Sequence, residues 1–138
     1  MAKVKDFMTT DVVTVGSQAQ MVDAAKLMRD HDVGLLAVVD GGNLKGVVTD
    51  RDLVVKGLAS GNGDCAISKL LTSEVFTLNT DDDADDAEKR MSEHNVRRLP
   101  VLENGKLVGM VSVGDLAVRS NEKLAGKVLE NTGPSKKG

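Results

Sequence analysis

Polar and apolar positions follow three rhythms along this chain, and the rhythms come twice in the same order. "VVTV" at Val12 to Val15 and "VFTL" at Val75 to Leu78 are short runs rich in β-branched residues, which predicts strands. Met21, Ala24 and Met28 then recur at helical spacing, as do Ala84, Ala87 and Met91. Each strand is therefore followed by an amphipathic helix with a small-residue face. "LAVVDGGNLKGVV" and "LPVLENGKLVGMV" come next, each a pair of β runs around Gly41-Gly42 or Asn104-Gly105, and a Gly-bearing pair between apolar runs is a strong hairpin signal. A last helix is expected from about Asp50 and again from about Val113.

The two passes through these rhythms are an internal repeat. Val4 falls on Ile67, 63 positions on, and that offset holds without a gap to Leu53 on Leu116. About a third of the pairs are identical, among them Thr9/Thr72, Ala24/Ala87, Met28/Met91, His31/His94, Leu36/Leu99, Gly46/Gly109 and Asp52/Asp115. The expected organisation is repeat 1 over 1–60, a linker over 61–65 within "KGLASGNGDC", repeat 2 over 66–120, and a tail over 121–138 that is partly helical and then frayed. Each copy reads strand, helix, strand, strand, helix. One copy alone buries too little surface to be comfortably stable, so an α+β fold is expected in which two β-α-β-β-α repeats pack through their sheets about a pseudo-twofold axis. Equivalent segments of both copies would line the cleft between them.

Composition narrows the partners. The chain has 138 residues, a net charge of -3, two Phe and neither Tyr nor Trp, so it offers polyanions no general attraction and exposed bases no stacking platform. Nucleic acid is not expected. The apolar stretch from Val33 to Val39 is far short of the roughly 20 residues that cross a bilayer, and Asp6 and Asp11 interrupt any signal-peptide core after Lys3 and Lys5. The expectation is a cytoplasmic protein with no membrane partner. Cys65 is the lone cysteine, flanked by Asp64 and Ala66, and reads as a small linker residue without a reactive role.

Several side chains admit two readings. Thr49 and Asp52 stand three apart at a strand-to-helix junction, as do Ser112 and Asp115, and Ser/Thr-x-x-Asp is a capping-box pattern. The same helix N-terminus, with free N–H groups and a carboxylate for vicinal hydroxyls, also suits a ribose phosphate. Arg97 and Arg98 read as a solvated pair at a strand entrance or as phosphate ligands. The acidic run from Asp81 to Glu88 favours the positive end of the second helix over a metal site. His31 and His94 fit the negative helix ends better than a metal site, and neither has a nucleophilic partner suggested by motif. No catalytic residue is expected.

The order of elements, the frame "GVVTDRDL" with its echo "GMVSVGDL", and "HNVRRLPV" together resemble a tandem cystathionine-β-synthase (CBS) domain pair, the Bateman module. The resemblance covers about residues 4 to 118 and is greatest to small stand-alone bacterial pairs, the hypoxic response proteins among them. It implies a regulatory module without enzymatic activity or obligatory cofactor, binding AMP, ADP, ATP or another adenosyl compound, and associating as a homodimer. It also implies two composite sites. The first would combine Thr49, Arg51 and Asp52 with Val75, Phe76, Val96, Arg97, Arg98 and Pro100. The second would combine Val12, Val13, Val33, Gly34, Leu35 and Ala37 with Ser112 and Asp115. Three arginines bias the first toward phosphate, while Gly34, Leu35 and Gly114 stand at the matching places of the second. Ala37 in place of a proline departs from the family pattern. The competing reading is a dimerisation or docking protein whose clefts are degenerate.

Overall fold

The computed structural model describes residues 2–61 and 63–117. The expected tail helix lies outside them. The described chain forms two compact units, one of residues 11–76 with 104–107 and the other of residues 2–10, 77–103 and 108–117. Neither unit is one contiguous repeat, because each takes in the opening segment of the other copy.

In the first-repeat unit, β1 (Thr14–Val15) lies parallel to β2 (Leu35–Asp40), and β2 pairs antiparallel with β3 (Asn43–Thr49). α1 (Met21–His31) buries Met21, Ala24 and Met28, the three positions whose spacing predicted it. They pack with Val15, Leu36, Val38, Val48 and Leu53. A helical stretch then begins as α2 (Asp50–Asp52), widens to an i to i+5 pattern over Leu53–Gly57, and tightens into a single narrow turn at Leu58–Ser60. Gly57 closes the widened stretch at a place where a Cβ would collide with the Met21 sulfur.

The second-repeat unit repeats the plan. β4 (Leu78–Asn79) is parallel to β5 (Arg98–Glu103), β6 (Lys106–Ser112) follows beside β5, and α3 (Ala84–His94) buries Ala84, Ala87 and Met91. α4 opens at Val113 and is described over 113–117. Both hairpin turns hold two consecutive positive-φ residues, Gly41 and Gly42 at 60° and 86°, Asn104 and Gly105 at 52° and 80°. That conformation matches the twist of the flanking strands and selects Gly and Asn.

The exchanged segments are docked by matching bonds. Val4 N–H donates to the Asp82 carbonyl at 2.8 Å, Ala84 N–H to Ala2 at 3.0 Å, and Thr9 and Met110 exchange both bonds at 2.8 and 2.9 Å. In the other unit Ile67 N–H donates to Ala19 at 2.8 Å, Met21 N–H to Cys65 at 2.7 Å, and Val47 and Thr72 exchange bonds at 3.0 and 2.8 Å. Val4 and Ile67 are both fully buried, and burying an aliphatic side chain of that size stabilises by about 1.5–3 kcal/mol. Cys65 is thus the counterpart of Ala2, half-buried and engaged through its backbone. The repeated glycines of "GVV" and "GMV" have the same cause. A Cβ on Gly46 would strike the Thr72 carbonyl, and one on Gly109 would meet Met8 and come within 3.0 Å of the Thr9 carbonyl.

The strands begin later than their β-branched runs. Val12, Val13 and Val75 to Thr77 precede β1 and β4, because β1 and β4 pair only at Thr14–Val15 and Leu78–Asn79. Among the described residues no helix is long and apolar enough to cross a membrane.

Candidate functional site

The two Ser/Thr-x-x-Asp motifs are closed capping boxes. Thr49 N–H donates to Asp52 Oδ2 at 2.9 Å, and Asp52 N–H donates to Thr49 Oγ1 at 3.1 Å. Ser112 and Asp115 repeat the box at 2.9 and 3.1 Å. The hydroxyl and carboxylate therefore fix the strand-to-helix corner in both copies, which is the structural half of the reading left open from sequence. Capping does not exhaust the carboxylate. Asp52 Oδ1 lies 3.3 Å from Lys56 Nζ one turn on, and an ionised carboxylate accepts at about four lone-pair sites.

The free N–H groups expected at the start of the first copy's helix are absent. Asp50 N–H donates to the Gly34 carbonyl at 3.0 Å, Arg51 N–H to Asp50 Oδ1 at 2.8 Å, and Asp52 N–H to Thr49. Protein acceptors take all three, so a phosphate would meet side chains there and not a bare helix end. Asp50 takes part through both its N–H and its carboxylate, at the place where the second repeat has Val113. Val113 has no carboxylate to turn back on Gly114, and the corner is held through Val113 N–H to the Arg97 carbonyl at 2.9 Å.

The first-repeat unit holds Val12, Val13, Val33, Gly34, Leu35, Ala37, Thr49, Arg51, Asp52, Val75 and Phe76. The second-repeat unit holds Val96, Arg97, Arg98, Pro100, Ser112 and Asp115. Within each unit the fold brings together members of both candidate sets. Leu35 stands opposite Thr49 across the β2–β3 ladder, and Gly34 is bonded to Asp50. Arg97 is bonded to Val113, one residue past Ser112. Ala37 and Pro100 are buried and serve the backbone course of β2 and β5, whereas Arg51, Arg97 and Arg98 are exposed. Phe76 is 49% exposed, an aromatic face on the segment before β4.

α3 ends at Asn95 in the left-handed conformation, φ 56°, as α1 ends at Asp32, φ 54°. The chain there turns into Val96 and Arg97. Met91, Val96, Arg97, Val113 and Leu116 line a cavity of about 360 Å³ at this corner of the second-repeat unit. A second polar clip sits in the other unit, where Asp40 accepts from Ser17 N–H at 3.0 Å and Ser17 Oγ at 2.6 Å. These bonds hold the Asp40 carboxyl below the usual carboxylate range. Among the described residues no three or more His, Cys, Asp or Glu side chains gather as a metal site.

Comparison with known proteins agrees with this architecture. The CBS-domain family model matches twice, over residues 4–57 and 67–122. The CBS domain-containing protein YhcV of Bacillus subtilis is 42% identical over 95% of both chains. Hypoxic response protein 1 of Mycobacterium tuberculosis is 35% identical over 85% of this chain and 84% of its own. The crystal structure of Hypoxic Response Protein I with two coordinated zinc ions superposes with a TM-score of 0.76 at 35% identity, covering 85% of this chain and 98% of that one. CBSX2 in complex with AMP gives 0.78 at 28% identity, covering 90% and 98%. The CBS pair of MJ0100 in complex with 5′-methylthioadenosine and S-adenosyl-L-methionine gives 0.77 at 29%, covering 89% and 98%. With two matched copies across nearly its whole described length and relatives of its own size, this chain belongs to the CBS-domain family and is a tandem CBS pair.

Proposed function

We propose that this CBS pair is a non-enzymatic regulatory module of the cytoplasm that binds an adenine nucleotide or a related adenosyl compound. The observation that carries the reading is the doubled hydroxyl–carboxylate box. Both copies keep it in one geometry, and Arg97 and Arg98 stand exposed with no ion pair among the described residues. Ribose hydroxyls would be read by Thr49 and Asp52 or by Ser112 and Asp115. Phosphate would be read by Arg51, Arg97 and Arg98 through forked, charge-assisted bonds. Val75, Phe76, Val96 and Pro100 on one side, and Val12, Val13, Val33, Leu35 and Ala37 on the other, would shape the base pockets. Structural relatives that hold AMP, or methylthioadenosine and S-adenosyl-L-methionine, support the ligand class. A ligand with unequal affinity for two states of the module would couple its level to a regulated protein.

Isothermal titration calorimetry with AMP, ADP and ATP tests the reading directly, and native mass spectrometry of the purified protein would identify a retained nucleotide. No heat and no retained ligand at millimolar concentration would reject it.

A second reading has its own observation. Val22, Val54, Val55 and Leu58 of the first-repeat unit are 42%, 55%, 52% and 62% exposed. Apolar side chains left at outward helix positions fit a homodimer contact. Light scattering coupled to gel filtration should give twice the chain mass, and Val55→Glu with Leu58→Glu should return the monomer. An unchanged monomer in the parent protein would remove this reading.

A further inference from the structure

Gly34 and Arg97 occupy equivalent places in the two repeats, and so do Asp50 and Val113. The backbone frames at the two places are alike. Asp50 N–H donates to the Gly34 carbonyl at 3.0 Å, and Val113 N–H donates to the Arg97 carbonyl at 2.9 Å. On this common frame the charge is reversed. In the second repeat a guanidinium leaves the backbone beside an apolar valine, with Arg98 next to it. In the first repeat the glycine has no side chain, and the facing residue is a carboxylate.

That carboxylate fills the room a side chain would need. A Cβ built on Gly34 would lie 3.1 Å from Asp50 Oδ2 and 3.4 Å from Asp50 Cγ. Asp50 Oδ1 is held by the Arg51 N–H at 2.8 Å, so the group has a fixed direction. No cation lies within ion-pair distance of it among the described residues. Leu35, beside Gly34, adds no donor. On the Gly34 side of the first-repeat corner a carboxylate therefore stands where the second repeat has a guanidinium, and Arg51, the next residue, makes no ion pair with it among the described residues.

We propose that Asp50 is a specificity-determining residue that selects ligands by charge. The Gly34–Leu35–Asp50 corner disfavours phosphate and accepts a neutral or cationic adenosyl compound, such as a thioether or a sulfonium with an amine. The Arg97–Arg98 corner takes the phosphate-bearing one. This rests on the adenosyl-binding reading above and assigns a ligand class to each corner. The physical basis is a like-charge contact built against one ligand class, which discriminates more sharply than the absence of an attraction.

The test is calorimetry on the full chain with three probes that share the adenosine group: AMP, 5′-methylthioadenosine and S-adenosyl-L-methionine. Asp50→Asn keeps an oxygen for the Arg51 N–H, and Asp50→Val copies the second repeat; circular dichroism checks that both fold. The expected result is roughly tenfold tighter AMP at the weaker class of site, with a comparable loss for S-adenosyl-L-methionine. Methylthioadenosine should change by less than about twofold. If methylthioadenosine binds and both variants keep the parent ratio of AMP to S-adenosyl-L-methionine affinity, the role of Asp50 is overturned alone. If none of the three binds the parent protein, the adenosyl reading fails and the selectivity fails with it.

Discussion

The corner around Gly34 and Asp50 and the corner around Arg97 and Val113 are built on one backbone, yet they present opposite charges to a ligand. Their capping boxes agree to within the precision of the distances, 2.9 and 3.1 Å in each. The difference teaches that duplication preserved what holds the strand-to-helix turn and released what does not. Threonine or serine with aspartate closes the turn, so that pair persists. The residues between them carry no such duty and were free to diverge into Asp50–Arg51 and Val113–Gly114.

The largest break in the comparison should come from the box aspartates. Asp52→Ala removes a charged acceptor worth roughly 1.5–3 kcal/mol, or about 10 to 150-fold in affinity for AMP, ADP or ATP. Asp115→Ala, which the composite-site reading groups with Gly34 and Leu35 as it groups Asp52 with Arg97 and Arg98, should weaken phosphate-bearing ligands less. Calorimetry on both variants decides, and equal losses at the two positions would refute the charge asymmetry.

Gly46→Ala and Gly109→Ala probe the close approaches beneath the same frame. Gly46 faces backbone, the Thr72 carbonyl, whereas the first obstacle at Gly109 is the flexible Met8 side chain. Overpacking of this kind costs about 1–3 kcal/mol, and Gly46→Ala should sit at the upper end of that range. Urea unfolding would show it, and a smaller loss at Gly46 than at Gly109 would contradict the assignment.

Thr49→Ala and Ser112→Ala should each lower stability by about 1 kcal/mol, the usual worth of an N-cap. Similar shifts in the two variants would sharpen the view that the boxes are equivalent as structure while differing as sites.

The smallest effect concerns pH. Asp40 is depressed by its bonds from Ser17, and Glu103 and Thr80 stand at the matching sequence places of the second repeat. A depressed carboxyl stabilises fully above its unfolded value, about 3.9, and loses that contribution as pH falls through the lower folded value. Asp40→Asn should therefore flatten the fall in the urea midpoint below about pH 4. A variant as acid-sensitive as the parent would show that the clip does not contribute.

Much of the local structure was legible. Met21, Ala24, Met28 and their echoes located α1 and α3, because a buried helix face needs apolar residues at that spacing whatever it packs on. Gly41-Gly42 and Asn104-Gly105 located the hairpins, because two positive-φ residues in succession leave few alternatives. The strand starts were misplaced, since Val12, Val13 and Val75 have strand propensity but lack a paired neighbour. The helix terminus is closed where the sequence suggested free N–H groups, for a related reason. Whether the N–H groups of Asp50 and Arg51 are spent depends on where the Gly34 carbonyl and the Asp50 side chain lie.

By itself the sequence determined a duplicated β-α-β-β-α plan, its caps and turns, and an unequal share of arginines between the copies. These follow from periodicities of two and 3.6 and from residue types with narrow backbone preferences, which act within a few positions. Only the tertiary structure decided that residues 2–10 complete the unit of the second repeat and residues 67–72 that of the first. It also decided that Gly46 and Gly109 are glycine because a distant segment passes close over them, through the Thr72 carbonyl at one and chiefly the Met8 side chain at the other, and that Asp50 stands where the other copy has a guanidinium. Those facts are contacts between segments far apart in the chain, and no local pattern encodes which carbonyl or carboxylate will be the neighbour.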